Sequence, residues 1–467
     1  MPTNPTPQVP LSAYAERDRA HVLHPTTDLA AHQQSGPMII ERGEGIYVFD
    51  ENGRRYIEGM AGLWCTSLGF SRPELMQAAL TQMQALPFYH SFGNMGTKPT
   101  IDLAERLIRI APFKASKVFF ANSGSEANDT QVKLIRYYNN AIGKPHKKKI
   151  ISRQRAYHGV TSLTAGLTGL PAFRNGFDVD HPDILHTDCP HFYKYGLPGE
   201  SEAEYVDRLA ANLDALIQRE DPDSIAAFIA EPVMGGAGVL PPPAGYFEKI
   251  QQVLKRYDIR FIADEVICGF GRTGRMFGCE TYAIQPDTMT LAKQISSGYL
   301  PISAVLIGQD MYDVLVSESG KKGVFGHGYT YGGHPVSAAV ALRTIELYEE
   351  LNILAHVQKV SIRFQQRLHS LKDHPLVGET RGVGLIGGVE LVADKATKRA
   401  FTPAAGVGKA AWANGIKHGL INRASGDAIV LAPPLVISDS EIDDLFDCLE
   451  RALDDTESHV VKEGLRS

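Results

Sequence analysis

The segment PDTMTLAKQISSGYLPISAVLIG carries a single lysine, Lys293, between two apolar strand-like runs. Desolvation there lowers a lysine's pKa and makes its amine a nucleophile, although a strand-end lysine can also snorkel to water. IRFIADEVICGFGRTG sets Asp264 and Glu265 inside an apolar run, where a carboxylate must be paired, hydrogen-bonded or protonated. KVFFANSGSEAND runs from a strand pattern into Ser123-Gly124-Ser125 and at once into a helix pattern. Hydroxyls, a glycine and helix N-terminal N–H groups make a phosphate cradle, or, in a plainer reading, a helix N-cap. SRQRAYHG puts Tyr157 and His158 after another strand pattern, where an aromatic face can cover a flat ring or simply pack in a core.

Together the four stretches fit one ligand, a planar, phosphorylated, electrophilic aldehyde. The lysine forms an imine, the aspartate faces a ring nitrogen, the cradle holds phosphate and the tyrosine stacks. Pyridoxal phosphate needs these parts, including the acidic partner for its pyridinium nitrogen.

The elements that must position these residues are short, non-alternating runs rich in Ile, Val, Phe and Ala, as in strands covered on both faces. They are residues 117–121, 148–153, 225–232, 259–266, 288–292 and 302–308. Helical patterns such as EANDTQVKLIRYYNNA and GYFEKIQQVLKRY separate some of them, which predicts an α/β domain with a mostly parallel sheet. Such sheets bind ligands at the carboxyl ends of their strands. From Arg42 the chain reads as a hairpin turning at Glu51-Asn52-Gly53. After Gly333 a long helical segment, residues 335–371, leads to RGVGLIGGVELV and a helix–strand–helix tail. We expect residues 1–72 to form an arm and part of a small domain, with a proline-rich, flexible stretch over the first ten. Residues 73–333 are expected to form the large domain, and 334–467 the rest of the small α+β domain.

The ordered series NSGSEAN, AYHG, EPV, ADEVICGFGRTG, LAKQISSGYLP and GYTYGGHP resembles the class III (omega) aminotransferases of the fold type I pyridoxal-phosphate enzymes. GMAGLWC, LPFYHSF and NRASGDAIVLAPPL resemble the branch that passes amino groups from amines or ω-amino acids to pyruvate. The resemblance implies that Lys293 holds the cofactor and shuttles the proton, and that Asp264 keeps the pyridine nitrogen protonated. It implies phosphate binding by Ser123, Gly124 and Ser125, and by Thr330 from the other subunit of a homodimer or dimer of dimers. Tyr157, beside His158, and Val266 would cover the ring faces, and Glu231 would support the site. Trp64 and Phe92 would line the substrate pocket with Tyr157. Arg423, in an expected mobile loop, would meet the carboxylate of the oxo-acid acceptor, whereas a simple amine donor brings none. Two departures from the family's common pattern stand out: Gln294 replaces a glycine after the lysine, with little expected effect on the chemistry. Thr26 replaces a common phenylalanine, which bears on pocket size.

Other chemistries are set aside. The 467 residues carry 47 Lys plus Arg against 53 Asp plus Glu, a net charge of −6 with no basic footprint for nucleic acid. Two GxGxxG matches, at Gly269 and Gly382, lack the helix a dinucleotide fold requires. His327 and His334 have no third ligand near them in sequence, so no metal site is expected. Five scattered cysteines give no disulfide framework, and no apolar run suits a membrane span, so a cytoplasmic location is expected. The run Lys147–Lys149 reads as a solvated loop.

Overall fold

The computed structural model describes residues 11–466, so the flexible stretch expected over the first ten lies outside the described residues. All six expected core strands form, joined by a seventh, in one sheet. They are β4 (Ala115–Ala121), β5 (Lys149–Arg153), β6 (Ile184–Thr187), β7 (Ile225–Ala230), β8 (Arg260–Asp264), β9 (Thr288–Leu291) and β10 (Ser303–Gly308). Their order is β4-β10-β9-β8-β7-β5-β6, and β10 alone runs against its neighbours. Every residue of β7 and β9 is buried, as strands covered on both faces must be. The unexpected strand β6 has only four residues, ILHT, too few to show a pattern in sequence.

Helices Gly124–Ala141, Glu202–Arg219 and Tyr246–Arg256 occupy crossovers. The carboxyl ends of β4, β5, β7, β8 and β9 therefore share one edge; Asp264 ends β8, and Ser123, Tyr157, Glu231 and Lys293 lie within four residues beyond the others.

Two smaller sheets flank the large one. In the first, β1 (Ile40–Glu44), β2 (Tyr47–Asp50) and β3 (Arg55–Glu58) are antiparallel. The C-terminal β13 (Leu420–Ile421) joins β3 in parallel, so the two ends of the chain meet there. The expected hairpin is the β2–β3 pair. Asp50 Oδ1 accepts the N–H groups of Asn52 and Arg54, and Gly53 takes φ +77°. The second sheet is antiparallel, β11 (Val377–Val383), β12 (Ile386–Leu391), β15 (Ala428–Leu431) and β14 (Arg423–Ser425). Neither GxGxxG match opens a dinucleotide-type helix; the second spans the β11–β12 turn.

The single long helix expected over 335–371 is two, Pro335–Glu350 and Ile353–Ser370, broken where Asn352 takes φ +50°. Asparagine is one of the few residues that tolerates that left-handed region. The first of the two packs on helices Pro73–Ala85 and Lys98–Ile110. The lysine run is less solvated than expected. Lys147 is buried and donates to the Tyr257 carbonyl, and Lys149 pairs with Glu220. Among the described residues no helix is long and apolar enough to cross a membrane, and all five cysteines are free.

Candidate active site

A cavity of about 410 Å³ opens at the shared strand edge. Ser123, Gly124, Ser125, Tyr157, His158, Glu231, Asp264, Val266, Lys293, Trp64 and Arg423 all line it. Residues as far apart as 64 and 423 meet because the chain's ends close back on the sheet.

Asp264 ends β8 and is buried. Its Oδ2 accepts from His158 Nδ1 at 2.7 Å and from Asn128 Nδ2 at 2.8 Å, and its Oδ1 from the N–H of Val266 at 3.2 Å. Burial opposes the charge, but the hydrogen bonds and the His158 imidazole outweigh it and hold the carboxyl below its ordinary range. Glu265 projects to the other side of the strand, as side chains alternate. It accepts from the N–H groups of Gly278 and Cys279, is pushed to about 7 by burial, and serves structure.

Lys293 follows β9 and opens a short 3₁₀ turn at φ +49°, a left-handed conformation costly for a residue with a side chain. The next residue holds it there. Gln294 is fully buried, and its Nε2 donates to the carbonyls of Ile267 at 2.8 Å and Gly269 at 2.9 Å. Tyr348 donates to the Gln294 carbonyl at 2.8 Å. The departure expected to matter little is thus a clamp on the lysine's backbone. Burial holds the Lys293 ammonium below its ordinary range, against the opposing pull of Cys65, Asp264 and Glu231.

At the start of helix Gly124–Ala141, Ser123 Oγ accepts from the N–H of Glu126 at 3.2 Å, so the N-cap reading holds. Its hydroxyl proton remains free to donate into the cavity, so the cap is compatible with a cradle. Glu126 turns back to bind Asn122, which keeps its charge off the cradle. Ser125 Oγ accepts from the N–H of Val160. A Cβ on Gly124 would sit 3.2 Å from Val266, and one on Gly159, at φ +130°, would sit 2.6 Å from Ser125 Oγ. Both glycines let the cradle close.

Tyr157 meets Phe173 edge-on, with ring centroids 5.2 Å apart. Its N–H donates to Glu231 Oε1 at 3.0 Å, while Glu231 Oε2 accepts from Gly235. Glu231 therefore fixes the backbone under the tyrosine; burial pushes its own pKa up.

Trp64 lies in a turn with Ala61 at φ +47° and Gly62 at φ +72°, and is itself at φ +66°. Thr26, at φ +52°, also reaches the wall. Arg423 begins the edge strand β14, paired with Val430, so it stands on a strand and not in the expected loop. Its side chain makes no hydrogen bond or ion pair among the described residues. Phe92 is not on this cavity. It is exposed in the turn Phe92–Asn94, against Gly328, which lies two residues before exposed Thr330. His327 binds Thr130 and Lys133 and stacks on Phe119.

The sequence reading missed Asn128, which lies inside the helix, and the clamp role of Gln294. Both act on partners distant in sequence, and no local pattern marks them.

The residues present fit pyridoxal phosphate. A donor-rich helix start, a carboxylate held ionised and a desolvated lysine share one cavity of suitable chemistry. The fold and site define a fold type I pyridoxal-phosphate enzyme. The family model for class-III aminotransferases matches residues 29–453. A gamma aminobutyrate transaminase of Solanum lycopersicum, chloroplastic by name, is 54% identical over 91% of this chain and 82% of its own length. An omega transaminase of Pseudomonas jessenii, solved in complex with PMP, superposes with a TM-score of 0.95 at 50% identity, over 96% of this chain and 99% of that one. A transaminase solved with L-alanine gives a TM-score of 0.89 at 53% identity, over 91% of this chain and 100% of that one. The chain belongs to the class III aminotransferases and uses pyridoxal phosphate to move an amino group from a donor amine to an oxo acid.

Proposed function

We propose that the acceptor is pyruvate, that the donor is an amine or ω-amino acid, and that the enzyme works as a homodimer. The acceptor choice is carried by a lone guanidinium. Besides Lys293, Arg423 is the only lysine or arginine lining the cavity among the described residues. It has no partner, and burial holds its pKa below the ordinary arginine value. Leu63, Trp64, Leu170 and Phe173 supply apolar wall. One carboxylate finds one bidentate partner there. The second carboxylate of 2-oxoglutarate would be desolvated without a counter-charge. The relative solved with L-alanine, the aminated form of pyruvate, supports this reading, and the gamma-aminobutyrate relative supports an ω-amino donor.

When bound, the cofactor supplies an electrophilic carbonyl for amines and a ring that withdraws electrons from the substrate carbon. The Ser123–Ser125 segment holds its phosphate. Asp264, braced by His158 and Asn128, holds a proton at the ring nitrogen. Tyr157 and Val266 cover the ring faces. Lys293 Nζ, its pKa lowered by burial, takes the proton from the substrate carbon and returns it.

The homodimer rests on where Thr330 and Phe92 lie. Both face outward on a surface that also exposes Tyr89, Met95 and Tyr331, an apolar patch suited to a second copy. From there they would complete the neighbour's phosphate and substrate sites. A cytoplasmic location rests on the five free cysteines.

The test is kcat/KM for pyruvate against 2-oxoglutarate with a panel of amines and ω-amino acids. We expect pyruvate to lead at least tenfold; equal values overturn the acceptor assignment. Sedimentation showing a fully active monomer overturns the dimer.

A further inference from the structure

Outside the cofactor cavity, three side chains of the N-terminal segment converge on one point. Asp18 lies in helix Ala13–His21, His24 in the connection after it and His32 in helix Leu29–Ser35. His24 Nε2 is 2.7 Å and His32 Nε2 is 3.6 Å from the same oxygen, Asp18 Oδ1. One ligand atom from each of the three lies within 4.8 Å of the others. The two imidazole centroids are 4.4 Å apart.

A hydrogen bond between Asp18 and His24 that ties the connection down explains two of the three residues. It leaves His32 unexplained. That residue is 7% exposed, and its buried Nε2 has no hydrogen-bond partner among the described residues, although it points at Asp18. Unpaired buried polar atoms are costly and call for a cause.

We propose that Asp18, His24 and His32 bind one divalent transition-metal ion of the zinc type. One carboxylate oxygen and two neutral imidazole nitrogens are a donor set that zinc takes, with water in the fourth position. Calcium and magnesium prefer more oxygen ligands. Bonds of about 2.0–2.2 Å in a tetrahedron place ligand atoms roughly 3.3–3.5 Å apart. The His32–Asp18 separation is close to that already. The His24–Asp18 pair must open by about half an ångström as the metal replaces the proton between them. The spacing D-x5-H-x7-H resembles no compact zinc pattern, and only the fold brings the ligands together.

The ligands bracket Thr26, which lines the active-site cavity. An ion bound by residues on both sides of Thr26 would fix the strap that supplies this wall. That consequence rests on the proposed reading of the cavity; metal binding itself does not.

The cofactor-loaded, full-length enzyme, stripped of metals by a chelator, is dialysed against Zn²⁺ and its bound metal counted beside that of a His24→Gln/His32→Gln double variant. Unchanged cofactor absorbance in the variant verifies its fold. We expect the wild type to hold one more Zn²⁺ per chain than the double variant, with each single variant at least tenfold weaker. With Co²⁺ in place of Zn²⁺, visible bands of a tetrahedral centre should appear in the wild type alone. Equal uptake by wild type and double variant overturns the site. Zn²⁺ should also slow tryptic cleavage after Arg17 and Arg19 at least tenfold; an unchanged rate, with Zn²⁺ bound, overturns the strap.

Discussion

On the cofactor side of the cavity each acidic group is gripped by several partners. Asp264 has His158, Asn128 and a backbone N–H, and Glu231 has two backbone N–H groups. The backbone of Lys293 is held through Gln294. On the substrate side the supports are thinner. Arg423 starts a three-residue edge strand with its guanidinium unpartnered, and Trp64 and Thr26 stand on strained turns. The difference follows from what each side must do. One cofactor is bound in every turnover and its protonation must not drift, so rigid, preorganised charges suit it. Two unlike substrates, a donor amine and an oxo acid, alternate on the other wall.

The comparison breaks most sharply at Lys293. Lys293→Ala should retain cofactor through the Ser123–Ser125 segment and lose roughly 10²–10⁴-fold or more in turnover, the scale of positioned proton transfer. Steady-state rates on cofactor-saturated protein check this, and near wild-type turnover would remove Lys293 from the mechanism.

Asp264→Asn comes next. The swap is nearly isosteric, so the protein should fold, but the charge proposed to face the ring nitrogen is gone. A loss of about 10²–10³-fold is expected, typical of removing a preorganised electrostatic partner. His158→Leu should act through the same carboxylate. With that partner gone, burial dominates and raises the Asp264 pKa, so the acid limb of the pH–rate profile moves to higher pH. Because the native pKa of Asp264 lies below 3.8, its contribution to stability is present above that pH and is lost as pH falls through the native value. The variant should therefore lose acid tolerance as well as rate. An unmoved profile would mean that His158 does not brace Asp264.

On the substrate side, Glu58 anchors the turn that carries Trp64. It is buried, accepts from the N–H of Met60 at 2.8 Å, and is pushed by burial from 4.5 to about 7. The folded chain thus holds this proton more tightly than the unfolded chain. Its contribution to stability is full below about pH 4.5 and is lost as pH rises through 7, by roughly 3 kcal/mol at 1.36 kcal/mol per pH unit. Glu58→Gln keeps the acceptor and should flatten that slope. Urea midpoints at pH 5 and pH 8 measure it, and an equal slope in both proteins would exclude Glu58 as its source.

The same contrast governs what the sequence made legible. Six core strands, Lys293 and Asp264 could be read because apolar runs and the charges interrupting them are local patterns. The contacts that brace them could not, although His158 itself was among the expected site residues. His158 and Asn128 reach Asp264 across 106 and 136 residues, and Gln294 looked incidental until its carbonyl partners were in place. On the substrate side the differences were geometric. A glycine-flanked arginine suggested a loop, yet β15 captures it in a strand, and Phe92 turned out to lie on the outer surface. Asn352 broke a continuous helical pattern through a backbone state that the pattern does not encode.

Arg423→Ala gives the smallest of these effects and tests the contrast most directly. The β14 pairing fixes its backbone, so only the side chain can swing between substrate and water. Its pKa is lowered by burial, yet an unpaired guanidinium stays charged at neutral pH and gains most when a carboxylate arrives. Removing it should weaken the pyruvate half-reaction by about 1.5–3 kcal/mol, the range for a hydrogen bond to a charged group. A carboxylate-free amine never meets that charge, and its half-reaction should change by less than about 0.5 kcal/mol, as for substitutions away from a contact. The two half-reactions can be read separately by single-turnover absorbance on the cofactor. Equal losses in both would mean that Arg423 supports the wall of the cavity and selects nothing, and the two sides would then differ only in strain.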